Sequence, residues 1–124
     1  FNSLTSDEIK SKNVNSITLN SDDIYVKNLN TISDIRKKEN IKYNNIDVSH
    51  LDNINQVKYN YIKDDTDHIG FIAQEIKEYY PELVEVDDKG FLSVKYSEMI
   101  PLLLKYTKEM KNELKEEIEL LKKR

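Results

Sequence analysis

Apolar residues follow three different rhythms along this chain. Over residues 1–32 they alternate in short stretches: Ile17 and Leu19, then Ile24 and Val26, with Leu29 and Ile32 beyond them. Asn, Ser, Thr and Asp fill the spaces between. A period of two gives a strand one apolar face, and Asn-Ser-Asp clusters supply turns. The segment has too few apolar residues for a core of its own. Two readings stay open on this pattern: disorder, or the end of an intertwined β-stalk shared among chains.

The rhythm changes after residue 32. Residues 33–46 are polar. Val57, Tyr59 and Tyr61 alternate as in a strand. In "FIAQEIKEYYP", residues 71–81, Ile72, Ile76 and Tyr80 lie four apart, which is one face of a helix. Pro81 predicts its end, because the residue before proline is pushed out of the α region. "LVEVDDKGFLSVKY", residues 83–96, places two apolar runs around Asp87, Asp88, Lys89 and Gly90, the pattern of a hairpin.

The last rhythm is the most regular. Ser97 suits an N-cap, Glu98 the positive helix end, and Pro101 the first turn. Nothing then breaks a helix through Arg124. Leu103, Thr107, Met110, Leu114, Ile118 and Leu121 are spaced 4, 3, 4, 4 and 3 apart, a near-heptad with one irregularity. Glu113, Lys115, Glu116, Glu117 and Lys122 flank the stripe. A helix so long outruns a domain this small. A parallel bundle between chains is therefore favoured over a helix lying along its own domain.

Composition narrows the function. The chain has 124 residues, 38% hydrophobic and 34% charged, with a net charge of −4. So thin an apolar supply favours partner chains that bury more surface. No basic excess points to nucleic acid or a membrane surface. No apolar run approaches the roughly 20 residues that span a bilayer. There are no cysteines and two histidines, His50 and His68, so no disulfide is possible and no metal site or other cofactor is expected.

One pair at the junction carries candidate chemistry. Ser33 and Lys38 stand five residues apart in "SDIRKKE". As a bare spacing this is uninformative: with nine serines and 17 lysines, about one such pair arises by chance. Geometry narrows it. An extended strand carries the two about 16 Å apart, and a continuous helix rotates them onto different faces. They meet only where a strand gives way to a turn just after Ser33, which Ser and Asp as cap residues permit. A neutral Lys38 can then take the proton of Ser33 Oγ, and the nearest carbonyl is that of Ile32. The plainer reading is a helix cap followed by a solvated basic cluster.

From Ser33 onward the chain resembles the intramolecular chaperone, auto-processing domain at the C-terminus of phage tailspikes, endosialidases and tail fibres. A related domain lies within the membrane-tethered myelin regulatory factor. Four stretches carry the likeness: "SDIRKKENI" at 33–41, "YNYI" at 59–62, "HIGFIAQEIKEYYPELVE" at 68–85, and "LSVKYSEMIPLLLKYTKEMKNELKEEIELL" at 92–121. From the first stretch to the last the resemblance spans about three quarters of the chain. The family pattern is Ser-Asp-x-Arg-x-Lys, then Gly-x-x-Ala-Gln-Glu with Pro-Glu-Leu-Val, then Val-x-Tyr before a long helix. One departure is Lys37, where an apolar residue is usual; it leaves the positions of the pair intact.

The resemblance implies a Ser–Lys dyad, with Ser33 the nucleophile, Lys38 the general base, and self-cleavage between Ile32 and Ser33 in a single turnover. Asp34 and Arg36 would shape the corner, and Gln74 and Glu75 would brace it. His68 is placed either near the site or in packing. The implied fold is α+β: a small mixed domain whose long C-terminal helix forms a homotrimeric coiled-coil bundle, preceded by a β-rich trimeric stalk. The chain then divides into the stalk end at 1–32, a chaperone and autocleavage core at 33–96, and a trimerisation helix at 97–124. The partners implied are two further copies and the upstream fibre segment, with no nucleic acid and no membrane. The place implied is a virion fibre or tail precursor made in the host cytoplasm. Two alternatives remain: a structural trimer cap that never cuts, and the self-cleaving domain of a myelin-regulatory-factor-like transcription factor. The polar segment before Ser33, without a basic patch, ranks the latter lower.

Overall fold

The computed structural model describes residue 3 and residues 5–124; positions 1, 2 and 4 of the expected stalk segment lie outside the described residues. The chain divides into two units, Phe1–Ile41 and Lys42–Arg124.

In the first unit the strands expected around Ile17–Leu19 and Ile24–Val26 do not form among the described residues. The backbone instead bends at Asp7, Lys12, Ile17, Asp22 and Lys27, every fifth residue. A serine precedes four of these bends. The hydroxyls of Ser6, Ser11, Ser16 and Ser21 donate to the carbonyls of Glu8, Asn13, Thr18 and Asp23 at 2.7, 2.7, 2.6 and 2.7 Å. The N–H groups of Glu8 and Asn13 donate back to Ser6 and Ser11 at 3.3 Å. The physical reason is local competition. A strand needs a neighbour for its N–H and C=O groups, and a single segment has none, so serine side chains satisfy the backbone two residues on.

The second unit holds the packed domain. β1 (Val57–Tyr59) pairs antiparallel with β2 (His68–Gly70), with Tyr59 opposite His68 and Val57 opposite Gly70. Helix α1 (Ala73–Tyr79) follows, and Pro81 opens a 3-10 turn, Pro81–Leu83. β3 (Val84–Val86) and β4 (Leu92–Val94) form the expected hairpin. Its turn is held by Asp87, whose Oδ1 accepts from the N–H groups of Lys89 and Phe91, both at 2.9 Å. Gly90 sits there at φ 87°, a conformation that costs a Cβ-bearing residue steric strain.

The long helix α2 runs Met99–Lys122. Ser97 is not its N-cap. Residues Tyr96–Glu98 form a 3-10 turn, and Glu98 takes the cap position without a side-chain capping bond. The Tyr96 hydroxyl accepts the N–H of Phe71 at 3.0 Å, tying the helix entry to the end of β2. That approach needs Gly70, where a Cβ would stand 2.5 Å from the Tyr96 hydroxyl.

The core is small: Val48, Ile54, Ile76, Tyr80, Leu83, Met99 and Leu102, with Ile76 fully enclosed. Ile76 and Tyr80 are the inner face expected of α1, while Ile72 caps the helix and stays 39% exposed. Only the first two turns of α2 contribute. Met99 and Leu102 are buried and Tyr106 packs against the core, its hydroxyl donating to Asp52 at 2.6 Å. Lys105 Nζ donates to the Ile46 carbonyl beside it. From Thr107 to Arg124 every residue is exposed.

Candidate functional site

The corner at residues 33–38 is built by one turn of 3-10 helix, Ile35–Lys37. Asp34 caps it from an extended backbone (φ −66°, ψ 134°), its Oδ1 accepting the Arg36 N–H at 2.9 Å. The Arg36 guanidinium folds back on the same carboxylate: Nε donates to Oδ1 at 3.1 Å and Nη2 to Oδ2 at 2.9 Å. A two-point guanidinium–carboxylate contact of this kind fixes orientation as well as distance. The Arg36 side chain, then its backbone N–H, hold the Asp34 carboxyl below the usual carboxylate range, and Asp34 in turn raises Arg36. The N–H of Lys37 bonds to the Asp34 carbonyl at 3.0 Å and that of Lys38 to the Ile35 carbonyl at 3.1 Å. Lys38 then returns to extended backbone (φ −118°, ψ 151°).

That sequence of extended residue, single turn and extended residue brings the ends of the motif together. Lys38 Nζ lies 2.7 Å from Ser33 Oγ and donates to it. An amine and a hydroxyl at this distance can exchange a proton directly, given a deprotonated amine. The hydroxyl is on the residue whose own amide nitrogen joins the Ile32 carbonyl. The corner therefore places a hydroxyl, an amine and a peptide carbonyl within two neighbouring residues and one turn. Ile32 and Ser33 are both exposed.

Gln74 and Glu75 lie in the first turn of α1, in the second unit. Gln74 is exposed and lines a groove with Tyr59, Tyr61, Phe71 and Tyr96. Glu75 Oε1 accepts from Asn55 Nδ2 at 3.0 Å, which ties α1 to the loop before β1. His68 stacks on Tyr59, ring centroids 5.5 Å apart, and meets Tyr61 edge-on at 5.1 Å. Tyr59 and Tyr61 also face each other, with hydroxyls 3.3 Å apart. The hydrogen bond with Tyr61, then desolvation, push the Tyr59 phenol up to about 12. His68 is thus packed in an aromatic cluster of the second unit. Among the described residues no group of three His, Asp or Glu side chains is arranged to hold a metal ion, and no helix is long and apolar enough to cross a membrane.

The expected interface residues Leu103, Thr107, Met110, Leu114, Ile118 and Leu121 share α2 and are all exposed, the apolar ones between 44% for Met110 and 58% for Leu121. Asn55 and Asp52 have structural work in the second unit that the sequence does not single out, and Tyr96, the tyrosine of the Val-x-Tyr pattern, makes a bond to Phe71 that the pattern does not predict; each is bonded at long range. Their only sequence signal is residue type, since a hydrogen bond between distant positions leaves no period. The five-residue recurrence of serine at 6, 11, 16 and 21 was legible but is obscured by the alternation of Ile17 with Leu19 and Ile24 with Val26.

Residues 33–85 match the family model described as chaperone of endosialidase, which is a peptidase family. The match supports the intramolecular chaperone family that the motifs resemble. The match begins at Ser33, and both members of the pair fall within it. No curated protein matches the chain.

Proposed function

We propose that this domain assembles a phage tail-fibre or tailspike-type protein as a homotrimer and then releases itself by one autoproteolytic cut between Ile32 and Ser33. The observation that carries the reading is the 2.7 Å approach of Lys38 Nζ to Ser33 Oγ at the first residue of the family match.

The chemistry follows from connectivity. Lys38, as the free amine, accepts the Ser33 Oγ proton. The oxygen attacks the Ile32 carbonyl carbon, a five-membered ring forms, and the C–N bond breaks as the Ser33 nitrogen takes up the proton. Ile32 is then an ester of Ser33 Oγ. Water, deprotonated by the same amine, attacks the ester carbonyl. The products are a carboxylate at Ile32 and a free amine at Ser33.

Assembly rests on α2. Its outer four turns are exposed throughout, and its near-heptad stripe is the form in which parallel helices associate. Local helical contacts form fast, whereas contacts between stalk segments of different chains form slowly. Once three helices meet, the stalk segments share an effective concentration near millimolar. Cutting afterwards removes the element that would let an opened stalk reassemble, so stalk lifetime becomes a matter of its unfolding barrier.

The test is the mass of purified wild-type chain beside Ser33→Ala and Lys38→Ala. The wild type is expected to yield a fragment that starts at Ser33, and both variants to stay whole. An intact wild type after long incubation as a trimer would replace the cutting domain with a structural cap.

A further inference from the structure

The five-residue period of the first unit points to more than a flexible lead-in. Aliphatic residues recur at Leu4, Ile9, Val14, Leu19, Ile24 and Leu29, each fifth position without a gap. Serine recurs at 6, 11, 16 and 21, and the backbone bends one residue after each serine and again at Lys27. The same hydroxyl-to-carbonyl bond, at 2.6–2.7 Å, closes four successive units. A chain that repeats one local conformation follows a screw path, and equivalent positions on a screw path form one continuous line. Ile9, Val14, Leu19, Ile24 and Leu29 are therefore a single aliphatic row, and they are 61–84% exposed. The row stops where the motif begins: the next position in the series is Asp34, the cap of the catalytic corner.

We infer that this row is an interchain seam, on which copies of the same segment pack in parallel and in register, one aliphatic layer per pentad. The choice of occupant rests on period. A helix presents its apolar residues at 3.6 and a strand at 2, so neither matches a five-residue row beyond one or two contacts. An identical segment matches it at every layer. Between layers the residues from Lys10 to Asp23 are mostly Ser, Asn, Asp, Lys and Thr, suited to the outside of such a bundle. The parallel direction rests on the self-association proposed above for α2.

The absence of cysteine in the native chain makes the test direct. Single cysteines are placed in the 124-residue chain, with Ser33→Ala to keep it whole. Val14→Cys, Leu19→Cys and Ile24→Cys lie on the row. Ile17→Cys and Tyr25→Cys lie off it and are at least as exposed, at 106% and 93%. Each is treated with a short thiol-to-thiol cross-linker, and sedimentation is measured in parallel. The expected result is covalent linkage between copies at the three row positions, with at least tenfold less at the two others. Equal linkage at all five positions, or linkage at none, in a chain that sediments as a trimer overturns the seam and leaves the function of α2 standing. A lone protomer with no linkage overturns both, and sedimentation tells the two outcomes apart.

Discussion

At the scale of single residues, the proposed cut makes two opposite demands on one turn. The Asp34–Arg36 pair must hold the turn, and Arg36 makes four hydrogen bonds to that one carboxylate. Lys38 must give up its proton to act, which arginine cannot do. Lys38→Arg is therefore expected to keep a donor beside Ser33 yet lose cleavage by about 10²–10⁴-fold, the usual worth of a general base; the cut fraction against time reads this out. Acid should loosen the corner. The folded-state carboxyl of Asp34 is depressed by Arg36, so its contribution is present above the ordinary carboxylate range and is lost as pH falls through the folded value. Carbon-13 titration of the Asp34 carboxyl should show a midpoint below that of Asp34 in the Arg36→Ala chain; identical midpoints would mean that the pair does not hold the corner. The turn itself was legible, because Ser and Asp are cap residues and cap bonds are local. The long-range bonds of Asn55, Asp52 and Tyr96 were not, because their partners lie 20–54 positions away.

At the scale of elements, the second unit depends on two close fits. Gly70→Ala would drive a Cβ onto the Tyr96 hydroxyl and to 3.3 Å from Tyr59 Cε1. Overpacking of this kind costs about 1–3 kcal/mol. Ile76→Ala opens a cavity in the centre of the core at about 2–5 kcal/mol. Thermal melts of the two variants should both shift downward, Ile76→Ala further. Alkali gives a third reading. The Tyr59 phenol is raised to about 12, so its stabilisation is complete below the unfolded value near 10 and is lost as pH rises toward 12. Tyrosine absorbance and near-ultraviolet dichroism should change together across that window, and Tyr61→Phe, which removes the main cause, should bring the change to lower pH. The hairpin, α1 and α2 were readable because their periods and turn residues agree with their surroundings. The start of α2 was not. Ser97 is a good cap by type, but the anchor at Tyr96 keeps it inside a 3-10 turn.

At the scale of the whole molecule, the amphipathic stripe of α2 and the pentad row each ask for surface that one protomer does not supply. Leu114→Asp and Ile118→Asp change residues that touch nothing in the core, so the melting of the second unit should stay within a few degrees of wild type. Sedimentation should show loss of self-association, and mass analysis a matching fall in the Ser33 fragment. Full cutting by a lone protomer would separate the dyad from assembly and overturn the proposed order of events.

Near-neighbour features were already written in the order of amino acids: the helix faces, the Asp87 turn, the cap at Asp34, and the residue types of the pair at 33 and 38. These depend on periodicity and on bonds between positions a few residues apart, which any isolated chain obeys. Which of those features meet was left to the folded chain. Folding put Tyr96 over Gly70, seated only the first turns of α2 on the core, and turned an alternating segment into a five-residue screw by denying its backbone a neighbour. Packing and backbone pairing join residues without regard to their separation in the chain, and no local pattern records that.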